Sequence, residues 1–277
     1  MEKGNGPFGG LRVGAPSCVR PVGTLENAVL LARQVQDVEL VFWDCPEGCN
    51  LPGQEEISGL RRLGEEMGLS YTVHLPSEAR LGSVQETERL GALDQCLRWM
   101  DLCRPLEPFA WVLHLCGDER GRIPSRDGAR WQDRCSRSLE ALCAAAERPR
   151  DLCAETLDYD FAWAGELVEE HGLGVCLDVG HLVAGGWDVE ASLKRWLDRT
   201  KVLHLHGVRR GEDHVSLSWL APEVRRQVWS ALDRDPRPRV GTLEVFTPED
   251  LEDSLRVLAA DRAPRGSRKG GEDLDFS

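Results

Sequence analysis

Short apolar runs alternate with longer amphipathic segments along most of this chain. Eight of the runs have the length of a strand, and most are apolar on both faces, which is typical of buried parallel strands. They occupy residues 11–18, 38–44, 69–75, 109–116, 151–155, 174–179, 201–206 and 240–246. The pattern therefore predicts eight buried strands.

The amphipathic segments have the apolar spacing and the end signals of helices. Residues 24–36 place apolar side chains three and four positions apart and start at Thr24, a predicted N-cap. Gly68 is a typical helix end, and Pro248 suits a first helical position after Thr247 as cap. The predicted helices cover residues 24–36, 55–67, 85–103, 129–146, 161–171, 188–197, 221–232 and 248–260.

Successive strand–helix units predict one fold. Parallel strands need helical crossovers, and eight such units close into a (β/α)₈ TIM barrel. Residues 1–260 are predicted to form this single domain, and the polar, Gly-rich residues 261–277 are predicted to be a disordered tail. Chemistry in such barrels sits at the C-terminal strand ends, where the loop 117–128 is a candidate lid.

Composition excludes several classes of protein. The net charge of −13 over 277 residues argues against a general binder of nucleic acid or of anionic membranes. No apolar stretch approaches the roughly 20 residues of a membrane span, and the first residues lack the apolar segment of a signal peptide. We therefore expect a cytoplasmic protein in which the ten cysteines are free thiols, the CPEGC pair Cys45 and Cys49 included.

Ionisable residues concentrate at the predicted C-terminal strand ends. Six of the seven histidines lie there or just beyond, and only His171 does not. Carboxylates share these positions. The set comprises Asp44, His74, His114, Glu155, Asp178, His181, His204, His206, Asp213, His214 and Glu244.

Taken singly, each of these residues has an ordinary explanation. A lone buried His is usually a hydrogen-bonded core residue, and a strand-end Asp is usually a helix cap. Burying about nine ionisable groups at one barrel mouth, however, costs several kcal/mol each unless they are paired or bound to cations. Mixed imidazole and carboxylate donors suit Zn²⁺, Mn²⁺ or Fe²⁺. The set predicts two or three divalent ions, with Zn²⁺ and Mn²⁺ favoured.

The set resembles the endonuclease IV branch of the xylose isomerase-like barrels. That branch carries His on strands three and four, Glu on five, Asp-x-x-His on six, His on seven, an acid–His segment, and Glu on eight. Endonuclease spacing would select Glu212 as the acid, whereas the closer resemblance described next favours Asp213. The resemblance implies that the metal ligands are His74, His114, Glu155, Asp178, His181, His204, Asp213, His214 and Glu244.

Several phrases are similar to the cobamide-remodelling phosphodiesterases, over about residues 11–258. They include YTVHLP, CLDVGHL, VLHLHGV, DHVSL and TLEVF, with Thr156 where an Asn is expected. The resemblance implies hydrolysis of a phosphodiester in the nucleotide loop of a corrinoid substrate. Glu155 and Glu244 would be catalytic. His206 would contact a phosphate oxygen or act structurally, and Asp44 would bind substrate or orient a ligand His.

Three other functions compete with this one. A sugar isomerase or epimerase of the same superfamily uses one ion, held here by Glu155, Asp178, His204 and Glu244. It does not need His74, His114 and His214 as well. An apurinic-site endonuclease has the right ligands, but the acidic net charge opposes it. A non-catalytic metal or corrinoid carrier needs a closed coordination sphere, whereas an open barrel mouth favours turnover.

Overall fold

Eight parallel strands close into a barrel in this computed structural model, which describes residues 10–46 and 48–263. The strands follow one another around the barrel in chain order, and Leu11 of the first pairs with Arg239 of the last. The prediction of a (β/α)₈ TIM barrel is confirmed. The strands are β1 Leu11–Pro16, β2 Asp37–Val41, β3 Ser70–His74, β4 Ala110–Leu113, β5 Leu152–Glu155, β6 Gly174–Asp178, β7 Thr200–Leu205 and β8 Arg239–Leu243.

Helices cover the outside of the barrel between successive strands. Each of the eight predicted helices has a counterpart, and one short helix, α6, starts directly at the end of β6. The helices are α1 Thr24–Leu31, α2 Gln54–Met67, α3 Glu86–Cys103, α4 Gly128–Ala145, α5 Ala162–Glu170, α6 Val179–Ala184, α7 Val189–Trp196, α8 Pro222–Arg234 and α9 Pro248–Arg262.

The helix ends test the predicted caps. Thr247 accepts a hydrogen bond from the backbone N of Asp250, and Gly68 ends α2 in the left-handed conformation with φ of 66°, so both predictions are confirmed. The predicted Thr24 cap is wrong, because Thr24 is buried inside the first turn and Gly23 precedes the helix without a side-chain cap. Helix α1 also ends at Leu31, five residues before the predicted end.

Two β-hairpins interrupt the βα connections at the mouth of the barrel, and neither was predicted. The first pairs Asp44–Cys45 with Gly48–Cys49 after β2. The second, residues 207–215, pairs Gly207–Arg209 with Glu212–Val215 after β7. A tight turn joins its two strands at the mouth of the barrel.

The described residues include the start of the predicted C-terminal tail. Helix α9 continues to Arg262, so the predicted tail of residues 261–277 begins inside a helix. From residue 264 on, the tail lies outside the described residues. No helix in the described part of the chain is long and apolar enough to cross a membrane.

Candidate metal centre

Alternation along the strands places the ionisable side chains inside the barrel. Successive strand residues point to opposite faces, so residues two apart share a face. Cys153, Cys176 and Val202 belong to a small apolar cluster that also contains Ala110 and Val112. Two positions further along the same strands stand Glu155, Asp178 and His204. The ionisable residues thus form the layer above an apolar floor.

Glu155 lies at the centre of this layer and is 1% exposed. Its Oε2 is 2.9 Å from His114 Nε2 and 3.3 Å from His74 Nε2. Its Oε1 is 3.3 Å from His204 Nδ1 and 3.4 Å from His181 Nδ1. One carboxylate therefore faces imidazoles from four different parts of the chain.

Candidate ligand groups adjoin one another around Glu155. In each group the donor atoms lie within 4.8 Å of one another. Five such groups occur among the described residues, and two of them, Glu155 with Cys176 and His204 and Glu39 with His74 and Glu244, overlap the other three. The other three cover the cluster between them: the first is His74, His114 and Glu155; the second is Glu155, Asp178, His204 and Glu244; and the third is His181, His206 and His214.

The helix that starts at the end of β6 places His181. The Asp178 carboxylate accepts a hydrogen bond of 2.7 Å from His181 N and so caps α6. The same carboxylate approaches the His181 ring, with Oδ2 3.2 Å from Nδ1. Asp178 therefore serves both as the cap expected of a strand-end Asp and as a member of the cluster.

The second hairpin places His214. The backbone of His214 is in the left-handed region, with φ of 51°, as are Arg210 and Gly211 in the turn. A non-Gly residue held there costs about 1–3 kcal/mol, and such strain concentrates at functional sites. The His214 Nδ1 is turned inward, 3.6 Å from Glu244 Oε2.

Three buried polar atoms of the cluster lack hydrogen-bond partners, and such atoms indicate whether the residues can bind metal ions. His204 Nδ1, His214 Nδ1 and Glu244 Oε2 are buried and make no hydrogen bond to any described residue. His204 Nδ1 and Glu244 Oε2 nevertheless lie 2.9 Å apart. A buried polar atom without a partner is costly, and imidazole and carboxylate donors converging on one point are what divalent transition metals accept. The residues fit such ions.

Mutual charge effects dominate the pKa values in the cluster. Burial alone would raise the pKa of Glu155, but His114 and His204 outweigh it and hold that pKa well below its usual range. Burial likewise opposes protonation of His181, but Asp178 and Glu155 raise its pKa to about 10. Without an ion, Asp178 and Glu155 therefore hold a proton on the His181 ring, and a bound cation would take the place of that proton.

The ring of His206 is engaged at both nitrogens and is 0% exposed. Nδ1 accepts a hydrogen bond of 3.0 Å from His214 N, and Nε2 lies 3.1 Å from Asp178 Oδ1, to which it donates. The ring thus ties the second hairpin to the end of β6. Of the two roles left open from the sequence, this geometry favours the structural one over contact with a phosphate.

The two acidic residues of the set that lie outside the core of the cluster are exposed. Asp213 Oδ2 is 4.0 Å from His181 Nε2, at the edge of the cluster and on the side of the third group. Asp44 lies in the first hairpin, with Oδ2 3.9 Å from Arg98 Nη2. Asp213 is therefore within reach of the candidate metal centre, whereas Asp44 pairs with an arginine.

Two residues that contact the histidines of the cluster, Glu39 and Gly180, were not predicted from the sequence. Glu39 is a fully buried carboxylate on β2, and its position in the apolar run DVELV was the available signal. Gly180 packs directly beneath His206, since a Cβ there would lie 2.1 Å from His206 Cε1. Thr156, which stands where an Asn was expected, accepts a hydrogen bond of 2.8 Å from Asp178 N. It therefore supports the neighbouring strand end.

The predicted lid contacts both sides of the mouth. Asp118 accepts a hydrogen bond of 2.8 Å from Ser83 in the loop after β3. Arg122 stacks over the ring of Trp187, 4.6 Å from its centroid, beside the start of α7. The loop thus connects two other βα loops.

Comparison with known families identifies the architecture. The chain belongs to the family described as xylose isomerase-like TIM barrel, whose model matches residues 33–257. This confirms the superfamily part of the resemblance found in the sequence. A search of curated proteins finds no match.

Solved structures with the same fold include enzymes of two kinds. A D-tagatose 3-epimerase-like protein has a TM-score of 0.74 at 18% identity, covering 90% of this chain and 96% of its own. The 3-keto-D-glucoside 4-epimerase from E. coli has a TM-score of 0.71 at 17% identity, covering 92% and 100%. Endonuclease IV from Thermus thermophilus has a TM-score of 0.65 at 23% identity, covering 91% and 98%. These similarities establish the fold.

Proposed function

We propose that this xylose isomerase-like barrel is a metal-dependent phosphodiesterase that hydrolyses the phosphodiester in the nucleotide loop of cobamides. The observation that carries the proposal is the number of buried donor groups that adjoin at the mouth. The first and second groups share Glu155, and His181 links the third to them through Nδ1, 3.2 Å from Asp178 and 3.4 Å from Glu155. Even without His206, whose two ring nitrogens are already hydrogen-bonded, these groups hold more donors than one ion needs. Clusters of ions are typical of phosphodiester hydrolysis.

The candidate ligands have distinct tasks in this reaction. Divalent transition-metal ions, with Zn²⁺ and Mn²⁺ favoured, would supply a water nucleophile near neutral pH and neutralise charge on the phosphoryl oxygens. Glu155, which presents one oxygen to each of the first and second groups, would orient the attacking water. Glu244 would assist from the opposite side, where its unpartnered Oε2 faces His204 and His214.

The surface around the mouth supports a large organic substrate. Trp43, Trp219 and Phe246 follow strands or hairpins at this end of the barrel and are 45%, 52% and 44% exposed. The ring of Phe246 lies 5.0 Å from that of His214, directly beside the third group. Exposed aromatic rings next to ionic groups suit a substrate that combines a planar organic part with a phosphodiester. A corrinoid has this composition.

The charge distribution weighs against DNA as substrate. The net charge is −13, and two arginines of the mouth loops pair with nearby carboxylates. Arg80 pairs with Glu88 at 3.2 Å, and Arg120 pairs with Glu78 at 2.8 Å. A DNA-binding face would need unpaired cations to displace counterions from the phosphates.

Product analysis tests the proposal directly. Metal-replete protein is incubated with adenosylcobalamin, and the products are followed by chromatography and mass spectrometry. We expect release of the nucleoside or nucleotide portion by the wild type and none by the His204→Ala/Glu244→Ala double variant. A matched control, His171→Ala/Glu223→Ala, removes a histidine and a glutamate outside the cluster and should retain activity. Intact cobamide with metal bound would overturn the proposal, and abasic DNA would be tried next.

A single-ion sugar isomerase or epimerase is the second candidate. The observation in its favour is that Glu155, Asp178, His204 and Glu244 form one compact four-residue group. Three further buried or half-buried histidines, His74, His114 and His214, would have no task in that reaction. Turnover of ketohexoses by the metal-loaded protein, unaffected by His114→Ala, would establish it in place of the phosphodiesterase.

A further inference from the structure

Glu39 is a carboxylate buried in the barrel interior, next to the candidate metal centre. It is 0% exposed and lies in the middle of β2. Its Oε2 is 3.1 Å from His204 Nε2 and accepts a hydrogen bond of 2.8 Å from Thr242 Oγ1. Within residues 10–46 and 48–263, its only ion-pair partner is His204. A carboxylate so deeply buried needs such partners.

The contact with Glu39 determines which nitrogen of His204 faces the cluster. A neutral imidazole carries its hydrogen on one nitrogen and a lone pair on the other. Because Nε2 donates to Glu39, the lone pair belongs to Nδ1. That nitrogen lies 2.9 Å from Glu244 Oε2, 3.3 Å from Glu155 Oε1 and 3.6 Å from Asp178 Oδ2.

Thr242 fixes the carboxylate in turn. Thr242 is fully buried on β8, and it pairs with His204 in the strand register. Its hydroxyl and the His204 ring therefore reach the same Glu39 oxygen from adjacent positions. The three side chains come from β2, β7 and β8, so the contact also joins three strands across the barrel.

We infer that Glu39 is a positioning residue that holds His204 in the Nε2–H tautomer, so that Nδ1 is directed at the candidate metal centre. The inference rests on the metal centre assumed under Proposed function. A histidine that binds a metal donates its other N–H to an acceptor, and removal of that acceptor costs about 10–100-fold in metal affinity. The alternative role is direct coordination, since donor atoms of Glu39, His74 and Glu244 also lie within 4.8 Å.

Two substitutions at one position separate these roles. In Glu39→Gln the amide oxygen still accepts the hydrogen bond from His204, whereas Glu39→Leu removes the acceptor at similar volume. Zn²⁺ affinity and stoichiometry are measured by competition with a chromophoric chelator, and the Co²⁺-substituted proteins are compared by visible absorption. We expect Glu39→Leu to lose about 10–100-fold in affinity and to change the Co²⁺ spectrum, and Glu39→Gln to restore most of both.

Controls keep the result interpretable. Thr242→Val leaves Glu39 and His204 in place and is expected to lose only a few-fold in affinity. Near-ultraviolet circular dichroism of each metal-free variant shows whether the barrel is folded. Unchanged affinity in folded Glu39→Leu would overturn the inference, as would a Glu39→Gln protein that loses one equivalent of metal as Glu39→Leu does. Metal binding by the wild type without cobamide cleavage would overturn the proposed function and leave this inference standing.

Discussion

Charged side chains have different kinds of ion-pair partner at the two ends of the barrel. At the N-terminal end, Lys201 Nζ lies 2.6 Å from Asp151 Oδ1, donates to Phe109 O at 2.6 Å and sits over the Phe109 ring. At the C-terminal end, Glu155 and its neighbours have only imidazoles as ion-pair partners among the described residues. At the N-terminal end, Lys201 and Asp151 compensate each other's charge without a bound ion.

The difference separates structural from functional charge. A lysine ammonium group has three donors and no acceptor, so the Lys201 side chain has no lone pair to offer a cation. An imidazole releases its proton readily and then offers a lone pair to a cation. Carboxylates paired only with imidazoles are therefore arranged to exchange protons for metal ions.

The largest expected effect follows substitution of Glu155, the carboxylate at the centre of the cluster. Glu155→Ala removes a donor that three candidate groups contain, so the protein should lose bound metal and phosphodiester hydrolysis should fall at least about 100-fold. Metal analysis after dialysis and product chromatography measure the two losses. A variant that keeps its metal and its activity would show that the cluster is not a metal centre.

Lys201 provides the opposite test at the N-terminal end. Lys201→Met leaves the buried Asp151 with Arg148 at 3.0 Å as its remaining partner, and should lower the free energy of unfolding by about 3 kcal/mol. Metal content should not change. Urea denaturation of the metal-free protein gives the stability, and Lys201→Met/Asp151→Leu should recover part of it. A loss of metal in Lys201→Met would contradict the division between the two ends.

Gly180 tests how His206 supports the cluster. A Cβ at this position would lie 2.1 Å from His206 Cε1, so Gly180→Ala must displace the ring and should cost about 1–3 kcal/mol. Because His206 binds both Asp178 and the second hairpin, metal affinity should fall as well. The matched control is Gly91→Ala in α3, where a Cβ meets nothing within 4 Å and a small gain in stability is expected. Equal behaviour of the two variants would contradict this account.

Proton release gives the smallest expected effect. Burial lowers the pKa of His181, but Asp178 and Glu155 raise it more, to about 10. Below that pH the ring holds a proton that an ion must displace, so metal affinity should rise with pH up to about 10. Calorimetry in two buffers of different ionisation enthalpy measures the protons released. Identical heats in both buffers would show that the rings are already neutral.

Several features were predictable because they depend on neighbours in the chain. The eight apolar runs give strands within a few residues of those observed, since burial on both faces needs continuous apolar sequence. Thr247 and Gly68 were recognised because a cap acts over three or four residues. The prediction of Thr24 as an N-cap was wrong because its side chain is buried in the first turn of α1 and does not cap the helix.

Contacts between distant segments were not predictable in this way. Glu39 and His204 are 165 residues apart, and their contact exists only because the barrel closes. The two hydrogen bonds of the His206 ring depend likewise on a hairpin in which two of the three left-handed residues, Arg210 and His214, are not glycines. The sequence placed His206 at a strand end but left open whether its ring was free.

The sequence by itself determined the parallel barrel and the end of it at which ionisable residues gather. Apolar runs bury themselves, and period-two alternation puts Glu155 above Cys153 and Asp178 above Cys176 on any such strand. Only the tertiary structure decided which imidazole faces which carboxylate and which nitrogen is left without a partner. Those relations depend on distances of about 3 Å, and closure of the sheet, not local preference, sets them.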